Sequence, residues 1–199
     1  VSVETASVRD RIREAADARF RRHGFAKTTM AEIAADCGMS AANLYRYFES
    51  KSDLGAAIAE RCLTEQAGKL RAVVGADGAT AAEKLETFVV EAFDHTYEQI
   101  ADEPMMAELV QFIARERKDL IREHKMGTLA ALVAEILEEG NRTGELDVDD
   151  VPATARTVLA ATFAFHAPFL ILTGLFERDG MEAMARATAR LIVRGLAHH

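Results

Sequence analysis

The stretch FRRHGFAKTTMAEIAADCGMSAANLYRYFESKSDL, Phe20 to Leu54, holds three helix starts in close succession. Thr29 with Glu32 three residues on forms a capping box, and Met30, Ile33, Ala34 and Cys37 supply the apolar face of a helix that Gly38 stops after two turns. Ser40 caps a second helix, AANLYRYF, and Ser50 with Asp53 caps another that opens at Lys51. Two-turn helices are marginal alone and persist only when packed. A helix-turn-helix accounts for them: one helix braces, a tight turn uses Gly38, and the second helix is the one that enters a DNA major groove. Ile33, Ala34, Cys37, Met39 and Leu44 then form the inner packing of the pair. Ser40, Ala41, Ala42, Asn43, Tyr45, Arg46 and Tyr47 are left for the outer face.

Working outward, Val8, Ile12, Ala15, Ala16 and Phe20 are spaced by three and four and predict a helix ending at His23, with Gly24 in the left-handed position that closes it. Phe20, Phe25 and Phe48 read as the core of this small bundle. Downstream, helices are expected from Leu54 to about Val74, from Ala81 to about Ile100, and through Leu109, Phe112 and Ile113 after a start at Pro104. A long helix from about Asp119 to Glu139, closed by Gly140, follows, and the chain finishes with helices from about Pro152 to Leu172 and from Met181 to Leu196. No strand-length alternation is present. The fold class is therefore all-α, with a three-helix helix-turn-helix domain over 1–53 and a larger helical domain over 54–199.

Composition agrees with that reading. The 199 residues include only three prolines, carry a net charge of −8 and are 49% hydrophobic, as in ordinary soluble globular chains. The charge is uneven: residues 1–53 carry 9 Lys and Arg against 8 Asp and Glu, whereas 54–199 carry 15 against 24. A polyanion must therefore be met by the N-terminal end, because the acidic remainder repels it. The opening residues are charged throughout and lack the apolar run of a secretory signal, which predicts a cytoplasmic protein. Thr157 to Phe176 is free of formal charge and long enough to span a bilayer. Its threonines, His166, Pro168 and Gly174, with no basic cluster alongside, favour a buried helix and no membrane partner.

Other chemistries find little support. Cys37 and Cys62 have neither the spacing of a zinc site nor that of a disulfide framework. Glu91, His95 and Glu98 share a helix face but read as a solvated stripe, so no metal and no cofactor is expected. There is no GxSxG, no HExxH and no phosphate-cradling glycine loop, so the chain does not read as an enzyme.

The Phe20 to Leu54 stretch resembles the DNA-binding domain of the tetracycline-repressor (TetR) family of transcriptional regulators. The resemblance is carried by Phe20, Gly24 and Phe25, by Thr28 and Thr29, by the turn from Ile33 to Ser40, by the LYxYF run from Leu44 to Phe48, and by Lys51 with Leu54. It covers about a quarter of the chain. It implies that Thr28 or Thr29 and Lys51 meet phosphates, that Tyr45 and Tyr47 do so through their hydroxyls, and that Ser40, Ala41, Ala42, Asn43 and Arg46 lie at base edges or flanking phosphates. It also implies that the C-terminal helices form a homodimer around a small-molecule pocket. Phe88, Phe93, Tyr97, Met106, Phe112, Phe163 and His166 are the candidates to line that pocket. The function expected is that of a homodimeric repressor, released by a small-molecule effector from a double-stranded DNA operator that is an inverted repeat. The alternative is a dimeric ligand-binding helical protein without specific DNA binding.

Overall fold

In the computed structural model, which describes residues 7–101 and 103–197, every regular element is helical. The extended pairing among those residues is limited to an isolated antiparallel bridge between Leu146 and Ala197. The all-α expectation holds. His198 and His199, to which the sequence assigns no role, lie outside the described residues. The chain divides into two compact units: residues up to Cys62 with Glu103–Lys118 form one, and 63–101 with 119–197 form the other.

In the first unit, α1 (Val8–His23) begins where Ser7 and Asp10 cap each other. Ser7 Oγ accepts the Asp10 N–H at 3.1 Å, while the Asp10 carboxylate accepts the Ser7 hydroxyl at 2.6 Å. Ile12, Ala16 and Phe20 form its fully buried face. Gly24 ends the helix with φ 87° and ψ 152°, a positive φ but an extended ψ in place of the left-handed helical cap anticipated. Then come α2 (Met30–Asp36), α3 (Ala41–Leu44) and the start of α4 (Lys51–Val74). α3 is one turn long rather than the eight residues expected. Past it, the Tyr47 and Phe48 N–H groups both turn back to the Leu44 carbonyl, and the Arg9 guanidinium takes the Tyr47 carbonyl at 2.6 Å and lies 4.2 Å over the Phe48 ring.

The helix α6 (Ala107–Glu116), entered through a 3-10 turn at Pro104–Met106, completes this unit. Phe25 packs edge-on to Phe20 at 5.1 Å and stacks on Phe112 at 4.9 Å. Gly55 of α4 leaves room for that contact, since a Cβ there would lie 3.0 Å from the Phe25 ring and 2.9 Å from Leu109. Each large apolar side chain buried here contributes about 1.5–3 kcal/mol.

In the second unit, α5 (Ala81–Ile100) is the central element, opened by a capping box between Thr80 and Glu83. It packs against α8 (Ala130–Thr143), α10 (Pro168–Leu172) and α11 (Arg178–Leu196). Leu70, Leu85, Phe88, Leu129, Leu132, Val133, Ile136, Leu137 and Leu159 form its core. Arg186 and Arg190 of α11 pair with Glu86, and Arg178 pairs with Asp94.

Two long helices expected here are broken. The Asp119 to Glu139 helix is three pieces: α7 (Lys118–Arg122), a π-helical segment Glu123–Leu129, and α8, which runs past Gly140 to close at Gly144 with φ 77°. Gly140 is buried inside α8 because Leu146 and Ala81 pack where its side chain would be. The Pro152 to Leu172 helix is likewise divided into α9 (Val151–Ala161), a 3-10 turn Phe163–Phe165, and α10. Thr162 Oγ bonds back to the Val158 carbonyl at 2.8 Å, and Pro168 holds Ala167 extended at φ −98°, ψ 110°. Among the described residues no helix is long and apolar enough to cross a membrane.

Candidate nucleic-acid interface

The helix pair around Gly38 is held in register by polar contacts as well as by its core. Thr29 Oγ1 accepts the Glu32 N–H at 3.3 Å, and the Glu32 carboxylate accepts the Thr29 N–H at 2.8 Å. The Thr29 hydroxyl and amide hold the Glu32 carboxyl below the usual carboxylate range. Arg19 of α1 grips Asp36 of α2 with two hydrogen bonds, 2.6 and 2.9 Å, a planar fork on a carboxylate that fixes orientation. Arg19 lowers the Asp36 pKa accordingly. Gly38 turns the chain at φ 67°, and the Met39 N–H reaches back to the Ala34 carbonyl at 2.9 Å.

Beyond that turn, Ser40 caps α3 by accepting the Asn43 N–H at 3.2 Å. Leu44 and Phe48 are buried beneath it. Ser40, Ala42, Tyr45 and Arg46 are exposed, Tyr45 to 50%, while Ala41, Asn43 and Tyr47 are half-buried. Thr29 is exposed at the N-terminus of α2. Thus Thr29, Ser40, Ala42, Tyr45 and Arg46 are accessible on the pair of helices that the sequence singled out.

Thr28 and Lys51 are turned inward. Thr28 is 2% exposed, and its hydroxyl donates to the Gly24 carbonyl at 2.9 Å. The Lys51 ammonium donates to the carbonyls of Phe25, Ala26 and Thr28 at 2.7, 3.1 and 2.9 Å. It also lies 4.7 Å over the Phe25 ring, and partial burial lowers its pKa. Glu108 of α6 accepts the Ala26 N–H at 2.8 Å. The loop between α1 and α2 is therefore clamped by Lys51 and Glu108. The sequence offers no signal for Glu108, Arg9 or Arg19 in these roles, since their partners lie 17 to 82 residues away.

The seven residues proposed to line a ligand pocket fall in both units, with Phe88, Phe93, Tyr97, Phe163 and His166 in the second. Met106 and Phe112 belong to the first unit, where Phe112 stacks on Phe25. Phe88 is part of the core of the second unit, Phe93 is fully buried with its ring 5.5 Å from that of Tyr97, and Phe163 is 47% exposed. His166 is buried, accepting at Nδ1 from the Lys125 ammonium at 2.8 Å. Of the expected solvated stripe, Glu91 and Glu98 each pair with Lys69 at 3.5 Å, but His95 is buried at 3% exposure because its side of α5 packs into the second unit, and among the described residues no cluster of metal-ligating side chains forms. Neither Cys37 nor Cys62 forms a disulfide among the described residues.

Residues 12–62 match the model of the bacterial regulatory proteins of the tetR family, and residues 81–187 match the tetracycline-repressor-like C-terminal domain. The chain belongs to the TetR family and is a DNA-binding transcriptional regulator of that class. No curated protein matches the sequence. Solved structures show the same fold. A Mesorhizobium loti chain assigned to the TetR family is 17% identical, with a TM-score of 0.78 over 99% of this chain and 100% of that one. The fatty acid degradation regulator FadR of Bacillus halodurans is 19% identical, with a TM-score of 0.70 over 98% of this chain and 100% of that one. SmeT, the repressor of the Stenotrophomonas maltophilia multidrug efflux pump SmeDEF, is 20% identical, with a TM-score of 0.70 over 98% of this chain and 92% of that one.

Proposed function

We propose that the protein is a homodimeric, cytoplasmic repressor that binds an inverted-repeat operator through Thr29, Ser40, Ala41, Ala42, Asn43, Tyr45, Arg46 and Tyr47, and that a small molecule bound by the second unit releases it. The observation that carries the reading is the accessible face of Ser40, Ala42, Tyr45 and Arg46 on a capped turn of helix whose underside is buried. The Arg46 side chain makes no hydrogen bond or ion pair among the described residues, which leaves its guanidinium for a guanine edge or a phosphate. Alanines at 41 and 42 offer only methyl contacts, so DNA shape contributes to specificity. Lys51 and Thr28 act from within, setting the loop that presents Thr29 and α2.

Dimerisation is supported by apolar side chains left in water. Met184 and Leu191 lie seven residues apart on α11 and are 40% and 67% exposed, and Leu175 and Phe176 are 69% and 48% exposed. A two-fold partner covering them would set two recognition helices on one duplex and make the operator palindromic. Release by a ligand follows linkage: a compound that binds better to the DNA-free arrangement weakens DNA binding by the same factor. The chain runs from α6, whose Glu108 holds Ala26, through Lys118 into residues 119–129 of the second unit, a covalent route for that coupling.

The test is selection of bound duplexes from a randomised pool at near-physiological salt. An enriched inverted repeat supports the reading, and enrichment of nothing, with only salt-sensitive binding, refutes it.

A further inference from the structure

Three histidines and a lysine gather inside the second unit. His95, His124 and His166 are 3%, 6% and 3% exposed, and Lys125 joins them from the π-helical segment. Burial and the Lys125 charge together push His124 down to about 4 and His166 down to about 3, and burial pushes Lys125 down to about 8. At neutral pH the two rings are neutral and the lysine is charged.

The hydrogen bonds define what is occupied. Lys125 Nζ donates to His166 Nδ1 at 2.8 Å, so the neutral ring carries its proton on Nε2, directed at Thr162 Oγ1 at 3.4 Å. His124 Nε2 donates to the Gln66 amide oxygen at 2.9 Å, and that amide donates in turn to Thr96 Oγ1 and the Ala92 carbonyl. Lys125 thus uses one of its three N–H donors and faces no carboxylate among the described residues. An ammonium withdrawn from water without a counter-charge is costly, and such groups mark binding sites. The local backbone is arranged for this. A π-helical turn is rare, is concentrated at functional sites, and here sends the consecutive residues His124 and Lys125 to buried partners. Beside the cluster, the exposed ring of Phe163 meets His166 edge-on at 5.9 Å.

We infer that this cluster receives the carboxylate of a small monocarboxylic acid, taken by the two remaining Lys125 donors beside His166, with the acid's apolar body lying toward Phe163. The assignment rests on the reading that the second unit binds an effector, and it names that effector's chemical class. Neutral histidines suit it, because they add dipoles without a second full charge, and the lysine gains the counter-ion it lacks.

The test is calorimetric titration of the full chain with octanoate, decanoate and phenylacetate, each beside its amide, with far-UV circular dichroism on every variant. At least one acid is expected to bind at least about tenfold more tightly than its amide, the effect of a charge-assisted hydrogen bond. Lys125→Met should erase the preference, and Lys125→Arg should retain part of it. His166→Gln, a milder change, should reduce it. Acids and amides binding alike, no acid binding, or a preference that survives Lys125→Met would overturn the assignment. Fluorescence anisotropy on the selected duplex separates the two claims. A preferred acid that leaves DNA affinity unchanged refutes release by effector and keeps the carboxylate site, whereas amide and acid releasing DNA equally refutes the carboxylate site and keeps the effector.

Discussion

The Lys51 ammonium sits 2.7 Å from the carbonyl oxygen of Phe25 and 4.7 Å over the ring of the same residue. One side chain at the start of α4 thereby fixes the loop that carries Thr28 and Thr29. Lys51→Ala should cost about 1–3 kcal/mol of stability, because it leaves carbonyls without their donor. The affinity for duplex falls with the loosened loop, but the slope of log affinity against log salt stays within a few tenths of wild type. A slope flatter by about 0.9 would assign Lys51 to a phosphate instead.

Met184 and Leu191 present one apolar face of α11 to solvent. Replacing both with Arg should leave the helical content intact and convert the protein to monomers in sedimentation velocity, with loss of operator affinity. A dimer that persists in the double variant would move the interface elsewhere.

Acid should weaken the second unit. His124 and His166 titrate near 4 and near 3 when folded, below the ordinary value of 6.5. The unfolded chain therefore binds more protons in that window, and stability is full above about pH 6.5 and lost as pH falls toward 4. Urea midpoints measured from pH 7.5 to 4 should decline, and the decline should shrink in His166→Gln. Lys125 acts in the same sense at the alkaline side: with a folded pKa near 8, below the ordinary 10.5, its burial penalty is relieved as pH rises above 8. Lys125→Met should then stabilise the protein at pH 7 and less so at pH 10.

Two glycines should respond in opposite directions. Gly140→Ala drives a methyl into Leu146 and Ala81 and should cost about 1–3 kcal/mol. Gly68→Ala, in α4 with nothing within 4 Å of the new Cβ, should gain about 0.5–1 kcal/mol. Thermal unfolding of the two variants checks both signs.

Local chemistry made the N-terminal pattern legible. Capping boxes are encoded within four residues, so Thr29 with Glu32, Ser40 and Ser50 with Asp53 each appear where their spacing puts them. Helix interruptions were not legible in the same way. The π segment at Glu123–Leu129 and the break at Thr162–Ala167 occur inside continuous apolar periodicity, and they depend on what packs there. Gly140 looked like a stop because glycine usually is one, while here it admits Leu146. The long-range polar contacts, Lys51 to the Phe25 loop, Glu108 to Ala26 and Lys125 to His166, leave no periodic trace.

The central claim is that the exposed face of α3 and its following turn reads DNA. It is tested by the affinity of wild type and of Tyr45→Ala/Arg46→Ala for the selected duplex, measured by fluorescence anisotropy at near-physiological salt. Both side chains are exposed, so thermal unfolding should be unchanged within about 0.5 kcal/mol. A loss of about a hundredfold or more in affinity is predicted, from one phosphate and one base or phosphate contact. Equal affinity of the two proteins for that duplex would contradict the account.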